Sequence, residues 1–169
     1  MPKFDLVILD LDRTIWDHED VSSLLPPFRR IREGEVEDSL GRRVRLRPGV
    51  RSFLARCRRE GVILSIASWN KPEKAVPLLE LLSIFGYFSY PRIEFHPDKA
   101  RMIRGILRDV SRELGRIPRT LFVDDMERMV SLVRRELPQV KAVLFGQEVR
   151  SFQELEQLVF GGSNEIREG

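Results

Sequence analysis

The segment FDLVILDLDRT, residues 4–14, contains a continuous apolar run that ends at two aspartates separated by one residue. The apolar residues 6–9 predict a strand that is buried on both faces, as the strands of parallel sheets are. Asp10 and Asp12 follow where this strand leaves the core, and two carboxylates so close together repel each other. We therefore expect either a cation beside the pair or a reaction that uses one of the two.

The same pattern, a short apolar run that ends in polar residues, recurs along the chain. It is found at residues 62–68, 120–125 and 140–145, and more weakly at 92–96. Amphipathic helices are predicted between these runs, at residues 48–61, 98–115, 126–137 and 151–160. Alternating strands and helices predict right-handed crossovers and a parallel sheet with helices on both faces. The predicted fold class is therefore α/β, with three layers.

Residues 15–47 interrupt this alternation. Within them, EVED at 35–38 and RRVRL at 42–46 flank a turn around Ser39–Gly41, which is typical of a β-hairpin. We expect a flap and a hairpin over this insertion, at the edge of the sheet.

The length of 169 residues fits one domain, which we place at residues 1–160, with a flexible tail at 161–169. The 29 basic and 26 acidic residues give a net charge of +3, too small to indicate nucleic-acid binding. One cysteine, no signal-peptide pattern and no apolar stretch of membrane-spanning length predict a cytoplasmic protein without a membrane partner. The high content of charged residues suits a heat-adapted protein. The composition does not predict an oligomeric state.

Polar residues follow the predicted strands, and the carboxyl ends of parallel strands meet at one edge of a sheet. A single aspartate in such a place is usually a helix cap or a turn residue. Four of them at one edge indicate a cation, and carboxylates without histidine or cysteine partners suit Mg²⁺. The residues expected at this edge are Asp10, Asp12, Ser68, Lys99, Asp124 and Asp125.

Two further features of this edge predict an anion beside the metal. Lys99 lies in the first turn of a predicted helix, where a cation opposes the helix dipole unless an anion is near. The alternative is a solvated lysine paired with Asp98. Ser68 precedes Asn70, a predicted helix N-cap, and the free N–H groups of a helix that starts there would bind phosphate.

The order and spacing of these residues resemble the four motifs of haloacid dehalogenase-like hydrolases, and the match extends from residue 4 to about 145. The details are most similar to the small magnesium-dependent phosphatases of that superfamily. Two positions depart from the pattern: Met129 stands where many relatives have Asn or Asp, and Arg13 where Tyr or Gly is common. The motifs are Asp10-x-Asp12-x-Thr14, Ser68, Lys99 and Asp124–Asp125.

The resemblance implies a phosphatase mechanism with a covalent intermediate. Asp10 would attack phosphorus to form an aspartyl-phosphate. Asp12 would protonate the leaving oxygen and then deprotonate the attacking water. Ser68 and Lys99 would hold the phosphoryl oxygens, and Lys99 would also screen Asp10 from the substrate.

The resemblance also implies how Mg²⁺ is held. The inner ligands would be Asp10, Asp125 and the backbone carbonyl of Asp12, with Asp124 in a supporting position. Larger relatives carry a cap domain after the first motif or between the second and third. The 33 positions of the 15–47 insertion and the short segment between Ser68 and Lys99 leave no room for one.

An open site of this kind would accept a phosphate on a large or exposed group, in a phosphorylated small molecule or a phosphoprotein. We favour aryl phosphates and phosphotyrosine, with sugar phosphates as the alternative. Trp16, Trp69 and Asn70 are the candidate substrate-binding residues besides Ser68 and Lys99, although both tryptophans could instead pack against the sheet.

Other classes of protein fit the sequence less well. A calcium-binding loop that starts at Asp10 would need Gly at Ile15 and Glu at Val21. In receiver domains the paired acids come on the first strand and the lysine comes last in the chain. Here the paired acids Asp124 and Asp125 come after Lys99. A dehalogenase would not need Asp12 or Mg²⁺. A catalytically silent binding protein on the same fold remains as the alternative that is not an enzyme.

Overall fold

A five-stranded parallel sheet forms the centre of the structure, a computed structural model that describes residues 1–161. Residues 162–169 of the expected tail lie outside the described residues. The elements are, in chain order, β1 (Leu6–Leu9), β2 (Arg29–Arg32), β3 (Glu35–Glu37), β4 (Arg43–Arg45), α1 (Val50–Arg59), β5 (Ile63–Trp69), α2 (Pro72–Leu81), β6 (Arg92–Glu94), α3 (Lys99–Leu114), β7 (Thr120–Asp124), α4 (Glu127–Glu136), β8 (Val140–Leu144) and α5 (Phe152–Phe160).

The strand that carries the aspartate pair lies in the middle of this sheet. The strand order is β6-β5-β1-β7-β8, and all neighbours are parallel. Leu6 is in register with Ile63 on one side and with Thr120 on the other. Because β1 is paired on both sides, its carboxyl end lies between the ends of β5 and β7.

Alternate residues of β1 pack against different helices. Val7 and Leu9 belong to the apolar cluster that contains α1, α2 and α5, whereas Leu6 and Ile8 belong to the cluster that contains α3 and α4. The sheet is therefore covered on both faces, and the prediction of a three-layer α/β fold is confirmed. The long helix α3 buries one apolar face and ends at Gly115, whose φ of 72° closes the helix in the left-handed conformation.

The insertion after β1 forms a small antiparallel sheet in the order β2-β3-β4. The predicted hairpin is confirmed as β3 and β4, and β2 is an additional strand. Glu35 is buried at the centre of this sheet, where Arg43 and Arg45 donate to its Oε1 at 2.7 and 3.2 Å. Within residues 1–161 no cap domain is inserted at either position, as expected.

The start of α2 differs from the prediction. Asn70 was expected to cap this helix, but the N-cap position is occupied by Lys71, which makes no side-chain capping bond. The backbone N–H of Lys71 instead donates to the hydroxyl of Ser22 at 2.9 Å, from the insertion. The side chain of Asn70 is thereby free for other partners. None of the helices in the described part of the chain is long and apolar enough to cross a membrane.

Candidate active site

The carboxyl ends of the neighbouring strands β1 and β7 bring three aspartates to one place. Asp10, Asp124 and Asp125 each offer a carboxylate oxygen, and these oxygens all lie within 4.8 Å of one another. Asp10 and Asp124 are buried, and burial raises the pKa of each to about 6. Burial and the neighbouring charge of Asp124 also raise the pKa of Asp125. The cluster therefore resists carrying three negative charges without a counter-charge.

Lys99 supplies part of that counter-charge. Its side chain is only 2% exposed, and its Nζ donates to Asp10 Oδ1 at 2.8 Å and to the Ala67 carbonyl at 2.7 Å. Burial alone would lower the pKa of Lys99, but the charges of Asp10 and Asp124 outweigh burial and raise it. The alternative of a solvated lysine paired with Asp98 is wrong, because Lys99 reaches the strand edge from the first turn of α3.

The donor set fits a hard divalent cation such as Mg²⁺. One lysine faces three carboxylates, which leaves negative charge uncompensated. Asp124 Oδ2 is buried and has no hydrogen-bond partner, although it lies 3.1 Å from Lys99 Nζ as an ion pair. Carboxylate oxygens are the ligands that Mg²⁺ prefers. The residues that could hold the cation by their side chains are thus Asp10, Asp124 and Asp125.

The Asp12 carboxylate lies outside this group and has neutral partners. Its Oδ1 accepts from the indole N–H of Trp16 at 2.8 Å and from the backbone N–H of Val21 at 3.3 Å. Its Oδ2 accepts from Asn70 Nδ2 at 3.0 Å. Burial raises the pKa of Asp12 to about 6, against these hydrogen bonds, which lower it. Such a carboxyl group exchanges protons near neutral pH, as a general acid or base must.

Two of the candidate substrate-binding residues are buried behind Asp12. Trp16 is fully buried, so its ring face is closed to a ligand, and the expectation that it contacts the substrate is wrong for this structure. Asn70 is 1% exposed, and its amide donates both to Asp12 and to Ser68 Oγ, at 2.9 Å for the latter. Both amide protons are used inside the protein. The sequence could not show the bond from Asn70 to Asp12, because these two residues are 58 positions apart.

A cavity of about 570 Å³ lies in front of the carboxylates, and Asp10, Asp12, Lys99 and Asp125 line its floor. Trp69, the other candidate tryptophan, lines the cavity and is 40% exposed. Ser68 is fully buried beneath this floor.

Three apolar residues, Phe95, Met126 and Met129, were not expected from the sequence to line the cavity, although Met129 had been noted as a departure from the family pattern. Trp69 and Phe95, at the ends of β5 and β6, form an apolar side of the cavity, whereas Met126 and Met129 line it beyond β7, across β1. Each of the three unexpected residues follows a strand end closely, and this position is the only signal that the sequence offered. Met129 lines the cavity with an apolar side chain and is only 2% exposed.

Charged residues of the insertion and of the turn after β1 also line the cavity. Arg13, Glu19 and Asp20 line it, and Arg13 forms an ion pair with Glu19 at 2.5 Å. The φ of Arg13 is 59°, a left-handed conformation that favours glycine. The Arg47 guanidinium donates to the Arg13 carbonyl and holds this turn.

The chain is similar in sequence to one family model and to a human phosphatase. Residues 2–128 match the family model described as Acid Phosphatase. A stretch of 94 residues is 38% identical to magnesium-dependent phosphatase 1 of Homo sapiens, and the match covers 55% of this chain and 52% of that protein. The matched region thus spans about half the length of the human relative.

Solved structures with low sequence identity share the fold. A predicted phosphoglycolate phosphatase from Haemophilus somnus has a TM-score of 0.63 at 15% identity, with 94% of this chain and 99% of that chain covered. A HAD-superfamily hydrolase of subfamily IA from Geobacter sulfurreducens has a TM-score of 0.59 at 18% identity, with 92% and 99% covered. The family model covers most of the chain, and the chain therefore belongs to the acid phosphatase family, with the fold of the haloacid dehalogenase-like hydrolases.

Proposed function

We propose that this protein is a Mg²⁺-dependent phosphatase that hydrolyses phosphate monoesters through an aspartyl-phosphate on Asp10. The observation that carries the proposal is the group of three aspartates, two of them buried and paired with Lys99, which opens onto a cavity at the centre of the sheet edge. The name of the human relative supports the same activity.

The nucleophile in this proposal is the Asp10 carboxylate. It lines the cavity, and the ion pair with Lys99 offsets its charge as a phosphate dianion approaches. A carboxylate oxygen of Asp10 forms a bond to phosphorus while the bond from phosphorus to the leaving oxygen breaks. In phosphoryl transfer, positioning and charge stabilisation lower most of the barrier.

Asp12 moves the protons. In the first step its protonated carboxyl group gives a proton to the leaving oxygen. In the second step the Asp12 carboxylate takes a proton from water, whose oxygen bonds to phosphorus while the bond to Asp10 breaks. Inorganic phosphate is released, and both aspartates return to their starting states.

The cation would be held by Asp10, Asp125 and the backbone carbonyl of Asp12, with Asp124 in support. When bound, Mg²⁺ supplies positive charge that offsets the repulsion between carboxylates and phosphate. The ammonium of Lys99 would donate to the phosphoryl oxygens. The hydroxyl of Ser68 would do so too, once a shift of the neighbouring side chains exposes it, because Ser68 is fully buried and does not line the cavity in this structure. Because the protons of Lys99 already face Asp10, Asp124 and Ala67, a phosphate contact requires Lys99 to exchange one of these partners.

The apolar side of the cavity favours an aryl phosphate or a phosphotyrosine as substrate. Trp69 and Phe95 are exposed there, Phe95 by 61%, and either ring can stack on an aromatic leaving group. The charged side of the cavity favours a second candidate, a sugar phosphate, whose hydroxyl groups could bond to Glu19 and Asp20. The fold neighbour from Moraxella catarrhalis, a 3-deoxy-D-manno-octulosonate 8-phosphate phosphatase, has a TM-score of 0.56 at 15% identity, with 97% of this chain and 90% of that chain covered.

The activity is tested by phosphate release from p-nitrophenyl phosphate after treatment with EDTA and readdition of Mg²⁺. We expect turnover only with the metal restored. Asp125→Asn should strongly raise the Mg²⁺ concentration needed for half-maximal turnover. Glu127→Gln, which changes an acid of the next helix outside the cluster, serves as the matched control. Turnover that is undiminished in EDTA would contradict the metal requirement, and no turnover under any condition would favour a catalytically silent binding protein.

A further inference from the structure

A buried hydrogen-bond network lies behind Asp12 and is not part of the cavity wall. Its centre is Asn70, which is 1% exposed and bonds to residues from two other parts of the chain. Asn70 is not the cap of α2, so capping does not account for its burial. Unpaired buried amides are costly, and a fully satisfied one fixes the groups around it.

The direction of each hydrogen bond in the network follows from the backbone N–H of Lys71, whose role as a donor is fixed. The backbone N–H of Lys71 can only donate, and it donates to Ser22 Oγ at 2.9 Å. The single proton of the Ser22 hydroxyl then goes to Asn70 Oδ1, at 2.5 Å. The amide oxygen of Asn70 therefore faces Ser22, and its NH₂ group faces Asp12 and Ser68.

This orientation has a consequence for Asp12. Oδ1 of Asp12 is held by Trp16 and by the Val21 N–H, whereas Asn70 is the one donor that the described residues offer to Oδ2. Without Asn70, the carboxyl group would keep its bonds on one oxygen only and could rotate. Proton transfer requires that the transferring oxygen be held in place, and small displacements are costly to the rate.

The same orientation has a consequence for Ser68. Its Oγ accepts a hydrogen bond from the Asn70 amide at 2.9 Å, so the hydroxyl proton of Ser68 is not used in that bond. The hydroxyl can then act as a donor, the state in which it would bind a phosphoryl oxygen.

We propose that Asn70 is a positioning residue that holds the proton-transferring carboxyl group of Asp12 in place, and that Ser22 sets the direction of its amide. The inference rests on the proposed function. Ser22 lies in the short turn Val21–Ser23 of the insertion, so the insertion contributes to the geometry of the catalytic acid through Asn70 as well as through the Val21 N–H.

The test uses two substrates that differ in how much they need proton transfer. The leaving group of p-nitrophenyl phosphate is a weak base and needs little help, whereas that of phenyl phosphate is strongly basic. For Asn70→Ala, we expect kcat/KM on phenyl phosphate to fall at least about tenfold further than on p-nitrophenyl phosphate, a part of the 10²–10⁴-fold that proton transfer usually contributes. Ser22→Ala should show the same selectivity with a smaller loss.

Two further variants separate positioning from a structural role. Asn70→Asp keeps the shape but places an acceptor against Asp12 and Ser68, so both substrates should lose activity because the Ser68 proton is diverted. Ser65→Ala removes another buried serine hydroxyl of β5, which donates to the Tyr90 carbonyl outside the network. In this control the ratio of kcat/KM on the two substrates should not change.

The outcomes distinguish the inference from the function beneath it. If Asn70→Ala and Ser22→Ala lost kcat/KM equally on both substrates, the positioning role would be overturned. Turnover by the wild type would still support the proposed phosphatase activity. An unchanged Asn70→Ala enzyme would also overturn it. Absence of turnover in the wild type would overturn the proposed function, and this inference with it.

Discussion

Two aspartates one residue apart have opposite surroundings. Asp10 faces the Lys99 ammonium and two other carboxylates, whereas Asp12 faces the neutral donors of Trp16 and Asn70. This difference suits a nucleophile that must stay ionised beside a cation and a second group that must change its protonation state. Strand alternation would place residues i and i+2 on the same face. The difference arises because β1 ends at Leu9, so both aspartates lie beyond the strand.

The first prediction concerns the proton role of Asp12. Burial raises the pKa of Asp12 to about 6, so the acid form is present below that pH and is lost as the pH rises through it. We expect kcat/KM on phenyl phosphate to fall as the pH rises above about 6. Asp12→Asn should lose roughly 10²–10⁴-fold in activity and lack this dependence.

This prediction needs a control because the substrate also changes its charge in this range: phosphate monoesters titrate near pH 6. Asp12→Asn retains the titration of the substrate, so the difference between its profile and that of the wild type isolates Asp12. Identical profile shapes for the two proteins would contradict the assignment.

The second prediction concerns Lys99. Lys99→Met leaves Asp10 and Asp124 buried without their cation, and breaking a buried ion pair usually costs about 3–5 kcal/mol of stability. We expect a lower free energy of unfolding in urea and a larger loss of kcat/KM than in Ser68→Ala, which removes one neutral hydrogen bond.

A double variant separates the two effects of Lys99. Lys99→Met combined with Asp10→Asn removes one of the uncompensated charges, so part of the stability should return while activity stays absent. If Ser68→Ala lost more activity than Lys99→Met, the charge of Lys99 would not be central to phosphoryl transfer.

The sequence correctly predicted that the motif aspartates lie at the strand edge, because each follows an apolar run that marks a buried strand. The apolar run before Asp10 and the one before Asp124 placed both at the ends of buried strands. The network of Trp16 and Asn70 could not be predicted, because its bonds join residues up to 58 positions apart. Such pairs depend on how the insertion packs on α2, for which the sequence has no periodic signal.

At the scale of elements, strands and helices with a buried face were predicted and an exposed strand was missed. β1 and β7 are buried along their whole lengths, and their apolar runs indicated this. β2, with the sequence RRIR, is mostly exposed and shows no apolar alternation. It is a strand because β3 offers it an edge, which is a tertiary cause.

The third prediction concerns the small sheet of the insertion. Asp38 is buried, and its carboxylate accepts from the backbone N–H groups of Leu25, Leu40 and Arg42 and from the Arg42 guanidinium. Burial alone would raise the pKa of Asp38, but these donors outweigh it and lower the pKa to about 2. Asp38→Asn should speed amide hydrogen exchange at Leu40 and Arg42 at neutral pH.

The sign of the pH dependence follows from the lowered pKa. The stabilisation by ionised Asp38 is fully present above its unfolded pKa of 3.8 and is lost as the pH falls towards about 2. The difference between wild type and Asp38→Asn should therefore shrink over that range. Glu37→Gln, which removes an ion pair with the exposed Arg29, is the control and should have little effect. A difference that persists unchanged at pH 2 would contradict the role of Asp38.

At the scale of the whole molecule, the topology leaves the site open. β1 is central in the sheet, and the described insertion is limited to one small sheet without a cap domain. Larger substrates can therefore reach the cavity from the strand edge, past the apolar side that contains Trp69 and Phe95.

The fourth prediction is a substrate preference that follows from this openness. In a panel of phosphotyrosine peptides, free phosphoamino acids, sugar phosphates and nucleotides, we expect aryl phosphates to have the highest kcat/KM. Trp69→Ala should reduce this preference, because a stacked pair of aromatic rings contributes about 0.5–1.5 kcal/mol beyond the burial of its area. Met129→Asn tests whether the apolar wall itself matters. A strong preference for one small sugar phosphate, unchanged in both variants, would contradict the open aryl site.

The central claim is that Asp10 becomes phosphorylated in a reaction that depends on Mg²⁺. The most direct measurement is a rapid acid quench with substrate labelled in its phosphate, followed by peptide mapping of the protein. We predict label on Asp10 with Mg²⁺ present, none after EDTA treatment and none in Asp10→Asn, which should keep a folded structure by circular dichroism. Label on another residue, or turnover by Asp10→Asn at the wild-type rate, would contradict the account.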